Sequence, residues 1–308
     1  MSAVQAARFS APAKLNLFLH VVGRRADGYH LIQSAMQLID LADEITVAVR
    51  DDGRVVRDGT VAGVAEDDDL AIRAGRLLQS AAGVASGATI GVVKRIPMGG
   101  GLGGGSSDAA TVLLALNRLW QVDWPRERLM DLGLRLGADV PFFVGGDNAF
   151  VEGIGERITP IDLPATYFAV VHPGVSVPTA AIFGAPELTR DSEVLKISDF
   201  SKNGPDVLLD APATGGSGRL VLRNDLEPVA AARFDAVREA LDWLSRRVEP
   251  RSEGDWAGAR GPARMSGSGA CVFRAFDSAD HAAACIAALP IRWNGWSARS
   301  LAAHPHAG

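Results

Sequence analysis

The stretch Pro97-Met-Gly-Gly-Gly-Leu-Gly-Gly-Gly-Ser-Ser-Asp-Ala-Ala110 decides how this chain builds its central loop. Six of the seven residues from 99 to 105 are glycine, and helix-forming residues follow as far as Trp120. Glycine leaves backbone N–H groups uncovered and adopts backbone angles that other residues avoid. A helix that begins directly after such a loop adds unpaired N–H groups and the positive end of its dipole. The stretch therefore predicts a binding site for a polyphosphate.

Three other interpretations of this loop fit less well. A Walker A loop ends in Gly-Lys-Ser/Thr, and this loop has no lysine. Gly99, Gly101 and Gly104 satisfy the dinucleotide pattern G-x-G-x-x-G, but the match is weak in so glycine-rich a run. Pro97 also separates this loop from the preceding strand. A flexible linker would not continue directly into a helix-forming sequence.

Composition and charge narrow the class of protein. A length of 308 residues predicts about two domains, and 47% hydrophobic residues suffice for a large core without metals or disulfides. The formal net charge of −5 argues against a nucleic-acid-binding surface. Cys271 and Cys285 have apolar neighbours and no metal-ligand spacing, which predicts buried thiols in a reducing compartment. Because no long apolar run or secretion signal is present, we expect a cytoplasmic protein without membrane contact, as a monomer or a homodimer.

The hydrophobic pattern predicts two α+β domains, residues 1–163 and 164–308, without an internal repeat. Strands are predicted at Lys14–Val22, Glu44–Arg50, Thr89–Val93, Ala149–Val151, Tyr167–Val171, Ala270–Phe276 and Trp296–Leu301. Helices are predicted from a cap at Asp67–Asp69 to Ala82, from a cap at Ser106 or Ser107 to Trp120, from Pro125 to Gly137, and at Arg233–Arg247 and Ala279–Leu289. Gly/Pro-rich loops are predicted at 201–219 and 250–262.

Two charged residues in apolar surroundings are candidates for catalysis. Asp139 lies in Gly137-Ala-Asp-Val-Pro-Phe-Phe143, where a carboxylate is costly unless it is paired or functional. It is either an N-cap for the following turn or a base that takes a proton from a substrate hydroxyl. Lys14 shares a strand face with Asn16 and Phe18 by alternation, and is either a surface lysine or a site cation. Beside Asp139 it would add positive charge where phosphoryl charge develops.

A second glycine loop and a few aromatic residues are weaker candidates. Met265-Ser-Gly-Ser-Gly-Ala270 precedes a strand and is either a tight turn or a second wall against the phosphates. Tyr29 and His30 follow a turn, and Phe183 lies in a short apolar segment. These side chains could hold an aromatic ring, although core packing, taken alone, explains Tyr29 and Phe183 better.

Five segments carry a resemblance to a known family. They are Lys14-Leu-Asn16, Ala26-Asp-Gly-Tyr-His30, Pro97–Ala110, Gly137-Ala-Asp-Val-Pro141 and Ser266-Gly-Ser-Gly269, in this order. The chain resembles the 4-diphosphocytidyl-2-C-methyl-D-erythritol kinases, which belong to the GHMP superfamily of small-molecule kinases with galactokinase, homoserine kinase and mevalonate kinase. The glycine loop alone indicates the superfamily, whereas Ala26–His30 and the extra glycines before Ser106 point to this family. The resemblance covers nearly the whole chain.

The resemblance implies a fold and a reaction. The fold would combine an N-terminal domain like domain 2 of ribosomal protein S5 with a ferredoxin-like C-terminal domain, with ATP and substrate in the cleft between them. The reaction would be ATP-dependent phosphorylation of the 2-hydroxyl of the methylerythritol moiety, giving the 2-phosphate and ADP in the non-mevalonate isoprenoid pathway. ATP and Mg²⁺ would be the cofactors, with the magnesium ligands unassigned.

The resemblance also implies roles for individual residues. Asp139 would be the base and Lys14 its partner. ATP would bind to Pro97, Met98, Gly99, Gly100, Gly101, Leu102, Gly103, Gly104, Gly105, Ser106 and Ser107. The cytidine end of the substrate would bind to Asn16, Tyr29, His30, Thr179 and Phe183.

Two departures and three alternative functions accompany the resemblance. Asp69 stands where the family has asparagine near the adenine, which leaves adenine contacts there open, and the loops at 201–219 and 250–262 are longer than the family pattern. The chain could instead phosphorylate a different alcohol, such as homoserine or mevalonate, but Tyr29 and His30 disfavour this. It could be a regulator that lost catalysis, which intact Lys14 and Asp139 disfavour. A dinucleotide-dependent dehydrogenase is disfavoured by the second glycine loop.

Overall fold

The first half of the chain forms a six-stranded sheet covered by helices. The computed structural model describes residues 6–198, 209, 222–245 and 256–307. The strands are β1 (Ala7–Arg24), β2 (His30–Arg50), β3 (Val55–Asp58), β4 (Gly87–Val93), β5 (Ala149–Gly153) and β6 (Arg157–Pro160). The helices are α1 (Leu70–Ala82), α2 (Gly104–Leu119), α3 (Arg126–Leu134) and α4 (Val140–Gly145). The sheet order is β3-β4-β2-β5-β6, and β1 pairs with β2 as a long antiparallel ribbon.

The second half of the chain forms a four-stranded antiparallel sheet. Its strands are β7 (Tyr167–His172), β8 (Ala259–Met265), β9 (Val272–Phe276) and β10 (Asn294–Arg299). Its helices are α5 (Thr179–Phe183), α6 (Glu227–Arg233), α7 (Asp235–Leu244) and α8 (Ala279–Ala287). The order β10-β7-β9-β8, with helices between β7 and β8 and between β9 and β10, is the ferredoxin-like arrangement. This confirms the predicted two-part α+β fold, and the expected boundary at 163–164 falls between the two sheets.

Three apolar clusters form the core of the described part of the chain. One lies between the first sheet and helices α1 to α4, and a second lies between the second sheet and helices α6 to α8. The third joins β1 to the second sheet through fully buried side chains such as Leu15, Phe18 and Phe168. Because β1 is buried on both faces, its position relative to the second sheet is set by packing.

A β-bulge corrects the predicted face of β1. Asn16 pairs with Met36 and Phe18 pairs with Ala35, so Leu17 is an extra residue without a partner on β2. One extra residue reverses the alternation of side chains beyond it. Phe18 therefore packs in the third cluster with Leu15 instead of sharing a face with Lys14 and Asn16, as alternation alone predicts. Leu19 takes that face and lines the site cavity described below.

Several boundaries differ from the sequence prediction. Strand β2 begins at His30 and not at Glu44, because its first part is buried on both faces and therefore lacks the alternating pattern. The loop predicted at 250–262 lies outside the described residues as far as 255, and it is wrong from 259 onward, where β8 begins. Gly261 and Pro262 are tolerated there because β8 is an edge strand with an irregular register. The loop predicted at 201–219 lies outside the described residues except Leu209, and so do the last two residues of the helix predicted to end at Arg247.

The C-terminal segment returns to the first sheet. The backbone N–H of Leu301 donates to the carbonyl oxygen of Leu38 at 2.8 Å, and that of His304 donates to Gly146 at 2.7 Å. The amide of Asn148 donates to the Leu301 carbonyl at 2.8 Å. The segment after β10 thus joins the second half of the chain to the first half by hydrogen bonds. The cysteines are buried, unpaired thiols as predicted, and no helix within the described residues has the length and apolarity needed to cross a membrane.

Candidate active site

The first glycine loop has the backbone geometry that its composition predicts. Gly99, Gly101 and Gly103 have φ angles of +66°, +74° and +73°, in the left-handed region that favours glycine. Helix α2 begins at Gly104 with Gly103 at its N-cap, so the prediction that Ser106 or Ser107 caps it is wrong. Both serines lie in the first turn instead. Since glycine has no side chain to cap the helix, the N–H groups of this turn remain available to an anion.

The second glycine loop packs directly against the first one. The backbone N–H groups of Ala270 and Cys271 donate to the carbonyl oxygens of Gly99 and Gly100 at 3.2 and 3.0 Å. The Ser266 hydroxyl donates to the Gly101 carbonyl at 3.0 Å. A Cβ atom at Gly101 would lie 2.0 Å from the Ser266 carbonyl oxygen, so only glycine allows this approach. The segment 265–270 is therefore a second wall of the site and not an isolated turn.

Lys14, Asn16 and Asp139 meet at the entrance to these loops. The Nζ atom of Lys14 lies 3.5 Å from Oδ2 of Asp139 and donates a hydrogen bond to Oδ1 of Asn16. The amide of Asn16 in turn donates to the Ser34 hydroxyl at 2.8 Å. The Lys14 side chain is almost completely buried, whereas the Asp139 side chain is 31% exposed. Lys14 is therefore a buried lysine with two oxygen partners, next to a partly exposed carboxylate, and the interpretation as a surface lysine is wrong.

Asp139 occupies the N-cap position of α4 without acting as a cap. Its backbone is helical and its side chain makes no capping hydrogen bond. The carboxylate faces Lys14 instead. Of the two interpretations that the sequence leaves open, capping by the side chain is therefore wrong, and the base role stays a prediction.

Three adjoining cavities run through the site. The central cavity, of about 350 Å³, is lined by Lys14, Asn16, Asp139 and both glycine loops. The loop cavity, of about 410 Å³, lies on the far side of the first glycine loop and extends to Asp69 and Lys94. The aromatic cavity, of about 590 Å³, is lined by Tyr29, His30, Thr179 and Phe183. The central cavity shares Ser106 with the loop cavity, and Thr179 and Phe183 with the aromatic one.

The aromatic cavity gathers residues from both halves of the chain. The ring centroids of His30 and Phe183 lie 5.0 Å apart at an interplanar angle of 36°. Tyr29 is 62% exposed, which core packing would not leave. The hydroxyl groups of Thr179 and Ser268 lie 2.7 Å apart, which links α5 to the second glycine loop. Tyr29, His30, Thr179 and Phe183 therefore surround one space, whereas Asn16 lies at the central cavity.

Sequence reasoning missed a charged cluster in the loop cavity. The Nζ atom of Lys94 pairs with Asp43 and lies 2.7 Å from Oδ2 of Asp108. Burial raises the pKa of Asp108, and Lys94 opposes the rise. Lys94 follows β4, and Asp108 lies four residues beyond the start of α2, so their meeting depends on tertiary packing. Lys94 places a cation on the wall of the loop cavity.

Asp69, the departure noted in the sequence, has two structural partners. Its carboxylate accepts a hydrogen bond from the Ala71 backbone N–H at 3.0 Å, which confirms the predicted cap of α1. It also lies 3.3 Å from the Arg57 guanidinium. The residue lines the loop cavity while both oxygens are engaged elsewhere.

Comparison with known proteins places the chain in a family. A family model described as GHMP kinases N terminal domain matches residues 69–147, and one described as GHMP kinases C terminal matches residues 255–295. A protein from Thiobacillus denitrificans (strain ATCC 25259 / T1) named 4-diphosphocytidyl-2-C-methyl-D-erythritol kinase is 54% identical over 297 residues, which are 96% of each chain. The chain belongs to the 4-diphosphocytidyl-2-C-methyl-D-erythritol kinase family. A protein of the same name from Ralstonia pickettii (strain 12J) is also 54% identical, over 96% of this chain and 94% of that one.

Solved structures agree with membership of this kinase family. A crystal structure of a 4-(cytidine 5'-diphospho)-2C-methyl-D-erythritol kinase superposes with a TM-score of 0.76 at 34% identity, covering 96% of this chain and 99% of that one. A homoserine kinase from Cytophaga hutchinsonii superposes with a TM-score of 0.64 at 17% identity, covering 99% and 97%. The second likeness shows the GHMP fold alone.

Proposed function

We propose that this kinase transfers the γ-phosphoryl group of ATP to the 2-hydroxyl of 4-diphosphocytidyl-2-C-methyl-D-erythritol, giving the 2-phosphate and ADP. The carrying observation is the Lys14–Asp139 pair, which lies in the cavity between the glycine loops and the aromatic cavity. A phosphoryl acceptor held there has a phosphate-binding loop on one side and a ring-binding space on the other. The reaction is a step of the non-mevalonate isoprenoid pathway.

ATP occupies the loop cavity in this proposal. Its phosphates lie against the segment from Pro97 to Ser107 and accept hydrogen bonds from the exposed N–H groups at the start of α2. The positive end of the helix dipole adds to their attraction. The γ-phosphoryl group then reaches Ser106 and the central cavity, because the two cavities share that wall.

Asp139 and Lys14 act on the acceptor hydroxyl. The Asp139 carboxylate takes the proton as the hydroxyl oxygen attacks phosphorus, and its exposed fraction leaves room for that hydroxyl. Lys14 orients the carboxylate and supplies positive charge beside the transferring group. Asn16 holds Lys14 in this position through the hydrogen bond to Nζ. Phosphoryl transfer needs mainly placement and charge stabilisation, which these three residues provide.

Mg²⁺ belongs to the same proposal. Ser106 and Asp139 place a hydroxyl and a carboxylate oxygen on the wall of the central cavity, and Mg²⁺ prefers such oxygens together with nucleotide phosphates. Ser106 would hold the ion together with the nucleotide phosphates, while the Asp139 carboxylate is kept for the proton of the acceptor hydroxyl. When bound, it neutralises charge on the phosphate groups.

The aromatic cavity takes the cytidine end of the substrate. Tyr29 and Phe183 offer ring faces for the pyrimidine, and His30 and Thr179 offer polar groups beside it. A smaller alcohol such as homoserine or mevalonate would leave this cavity unused, which disfavours the other superfamily activities. The two buried thiols fit a cytoplasmic location, and the domain division at 163–164 and the choice between monomer and homodimer stay predictions.

An ATP-consumption assay tests the proposed function. ADP release is measured with ATP and Mg²⁺ alone, and then with the diphosphocytidyl sugar, homoserine, mevalonate or galactose. We expect rapid ADP release with the diphosphocytidyl sugar only. Equal rates with homoserine or mevalonate would favour another superfamily activity, and no release with any alcohol would favour a regulator without catalysis.

A further inference from the structure

Arg190 connects the two walls of the aromatic cavity. Its Nε atom donates to Nε2 of His30, at the start of β2, at 3.1 Å. Its Nη2 atom donates to the carbonyl oxygens of Phe183 and Ala185 at 3.1 and 2.6 Å, and its Nη1 atom donates to that of Leu188 at 2.9 Å. One planar guanidinium thus ties a side chain of the first half of the protein to the backbone that carries Phe183.

The hydrogen bond from Arg190 decides which nitrogen of His30 carries a proton. A guanidinium has only donors and stays protonated in proteins, so Nε2 of His30 must accept and carries no hydrogen. The proton of the neutral ring is then on Nδ1. Burial lowers the pKa of His30, and the charges of Arg190 and Arg24 lower it further, so the ring is neutral near pH 7. Asp27, on the preceding turn, is the acidic residue that lines the same cavity.

The Nδ1 atom of His30 is available to a ligand. No hydrogen bond to Nδ1 is present in the described part of the chain. The atom is also not one of the fully buried unpaired atoms, so a ligand can reach it. His30 itself lines the aromatic cavity. A ring N–H therefore stands free beside a space with two further aromatic side chains.

We propose that Arg190 is a positioning residue for nucleobase recognition, holding His30 in the Nδ1–H tautomer so that it donates to the acceptor ring nitrogen on the pyrimidine edge. This rests on the proposed function. Cytosine presents a ring nitrogen and a carbonyl oxygen side by side, both acceptors. Uracil replaces that ring nitrogen with an N–H group, which would oppose the donor on His30. Arg190 thereby contributes to the choice of cytosine over uracil.

Arg233 provides a matched control. Its Nη1 atom donates to the Ala181 carbonyl of α5 at 3.1 Å, and its guanidinium pairs with Glu187 at 2.7 Å. It therefore tethers the same segment of chain as Arg190. Among the described residues, the hydrogen bonds of Arg233 do not include one to His30.

The test compares Arg190→Met, Arg190→Lys and Arg233→Met in the full-length protein. NMR of the imidazole nitrogens without substrate reports the tautomer of His30. We expect the Nδ1–H form in the wild type and Arg233→Met, and a mixture of tautomers in Arg190→Met. Arg190→Lys keeps the positive charge but loses the planar fork that reaches His30 and the carbonyl oxygens together, so it is the second variant if Arg190→Met folds poorly.

Steady-state kinetics supply the second measurement. The KM for the cytidyl substrate should rise by about tenfold in both Arg190 variants, the loss expected for a hydrogen bond together with looser placement. The KM for ATP should stay unchanged, and Arg233→Met should resemble the wild type. The preference for the cytidyl over the uridyl substrate, as a ratio of kcat/KM, should fall in the Arg190 variants alone.

Two results would overturn the proposed role of Arg190. A third result would overturn the proposed function and leave the role of Arg190 to be decided separately. An Arg190→Met protein that keeps the Nδ1–H tautomer and the wild-type KM contradicts it. So does an Arg233→Met protein that raises the KM as much as Arg190→Met, since the effect would then come from the tethered segment. A wild-type enzyme that is inactive on the cytidyl substrate overturns the proposed function, while the tautomer measurement still decides whether Arg190 controls His30.

Discussion

The Nζ atom of Lys14 lies 3.5 Å from Oδ2 of Asp139, so β1 and the start of α4 meet at a charged pair inside the cleft. The lysine is buried and tied to Asn16, whereas the carboxylate is partly open to the central cavity. This asymmetry suits a fixed cation and a carboxylate that exchanges a proton with a bound hydroxyl.

Replacing Asp139 with asparagine should abolish most catalysis while leaving ATP binding. Asp139→Asn keeps the size of the side chain and removes the basic oxygen. We expect kcat to fall by about 10² or more, the usual scale for a lost general base. Calorimetry should show ATP affinity largely kept. Asp147→Asn is the matched control, because Asp147 is exposed just beyond α4. Near-wild-type turnover of Asp139→Asn would remove it from the base role.

A side chain at Gly105 should weaken ATP binding without unfolding the protein. A Cβ atom at Gly105 would meet only the Leu70 side chain, at an ordinary 3.5 Å, and the residue lines the loop cavity. Gly105→Val should therefore block the approach of the phosphates and lower ATP affinity. Gly104 is a poorer position, because its Cβ would lie 3.0 Å from the buried Ile96.

Gly145→Ala is a suitable control for Gly105→Val. A Cβ atom at Gly145 would have its nearest contact at 3.7 Å, with Met130. We expect normal ATP affinity for this variant by calorimetry. Unchanged affinity in a folded Gly105→Val protein would mean that the phosphates bind elsewhere.

Removing the Tyr29 ring should weaken binding of the sugar substrate selectively. Stacking of a base on an aromatic ring contributes about 1–3 kcal/mol in nucleic-acid complexes, so Tyr29→Ala should raise the substrate KM by about one to two powers of ten. The KM for ATP should hardly change, because the loop cavity lies beyond the glycine loop. Ile291→Ala, at a fully exposed apolar residue, is the control.

The same sugar without its cytidine completes the Tyr29 experiment. Wild-type enzyme should use it far less well than the full substrate. If both are used equally well, Tyr29 and Phe183 do not form a pyrimidine site.

His304 should make the protein less stable in mild acid. Burial lowers its pKa from 6.5 to about 3, with smaller contributions from His306 and Arg126. Because the unfolded chain binds a proton below pH 6.5 and the folded chain does not until about pH 3, the free energy of unfolding falls as pH decreases through this window. The loss is at most about 1.4 kcal/mol per pH unit from this residue.

His304→Gln tests this pH dependence. Glutamine does not titrate, so urea unfolding at several pH values should show a shallower dependence between pH 6.5 and 4 than in the wild type, by about 1 kcal/mol per pH unit. The comparison uses the slope, because the variant also loses the contact of His304 Nε2 with the Thr111 hydroxyl at 3.3 Å. An identical slope would contradict the assignment.

The phosphate-binding loop could be predicted from the sequence because its properties are local. Glycine at 99, 101 and 103 allows the positive φ angles, and the following residues favour a helix whatever surrounds them. The contact between the two glycine loops was one of two alternatives at the level of the sequence, because the Ser266–Gly101 hydrogen bond joins residues far apart in the chain. The Lys14–Asp139 pair needed family resemblance as well as an apolar context.

Local sequence was enough to predict the glycine loops, a cap of α1 within Asp67–Asp69 and the residue types of the site. Which of these residues meet depends on how the whole chain folds. The bulge at Leu17 exchanged Phe18 for Leu19 on the site face, and the tertiary fold brought Lys94, just beyond β4, to Asp108 of α2. The hydrogen bond from Arg190 to His30 likewise joins two distant segments, and no sequence pattern predicts their contact. Local backbone preferences act over a few residues, whereas such contacts depend on burial and register across the whole fold.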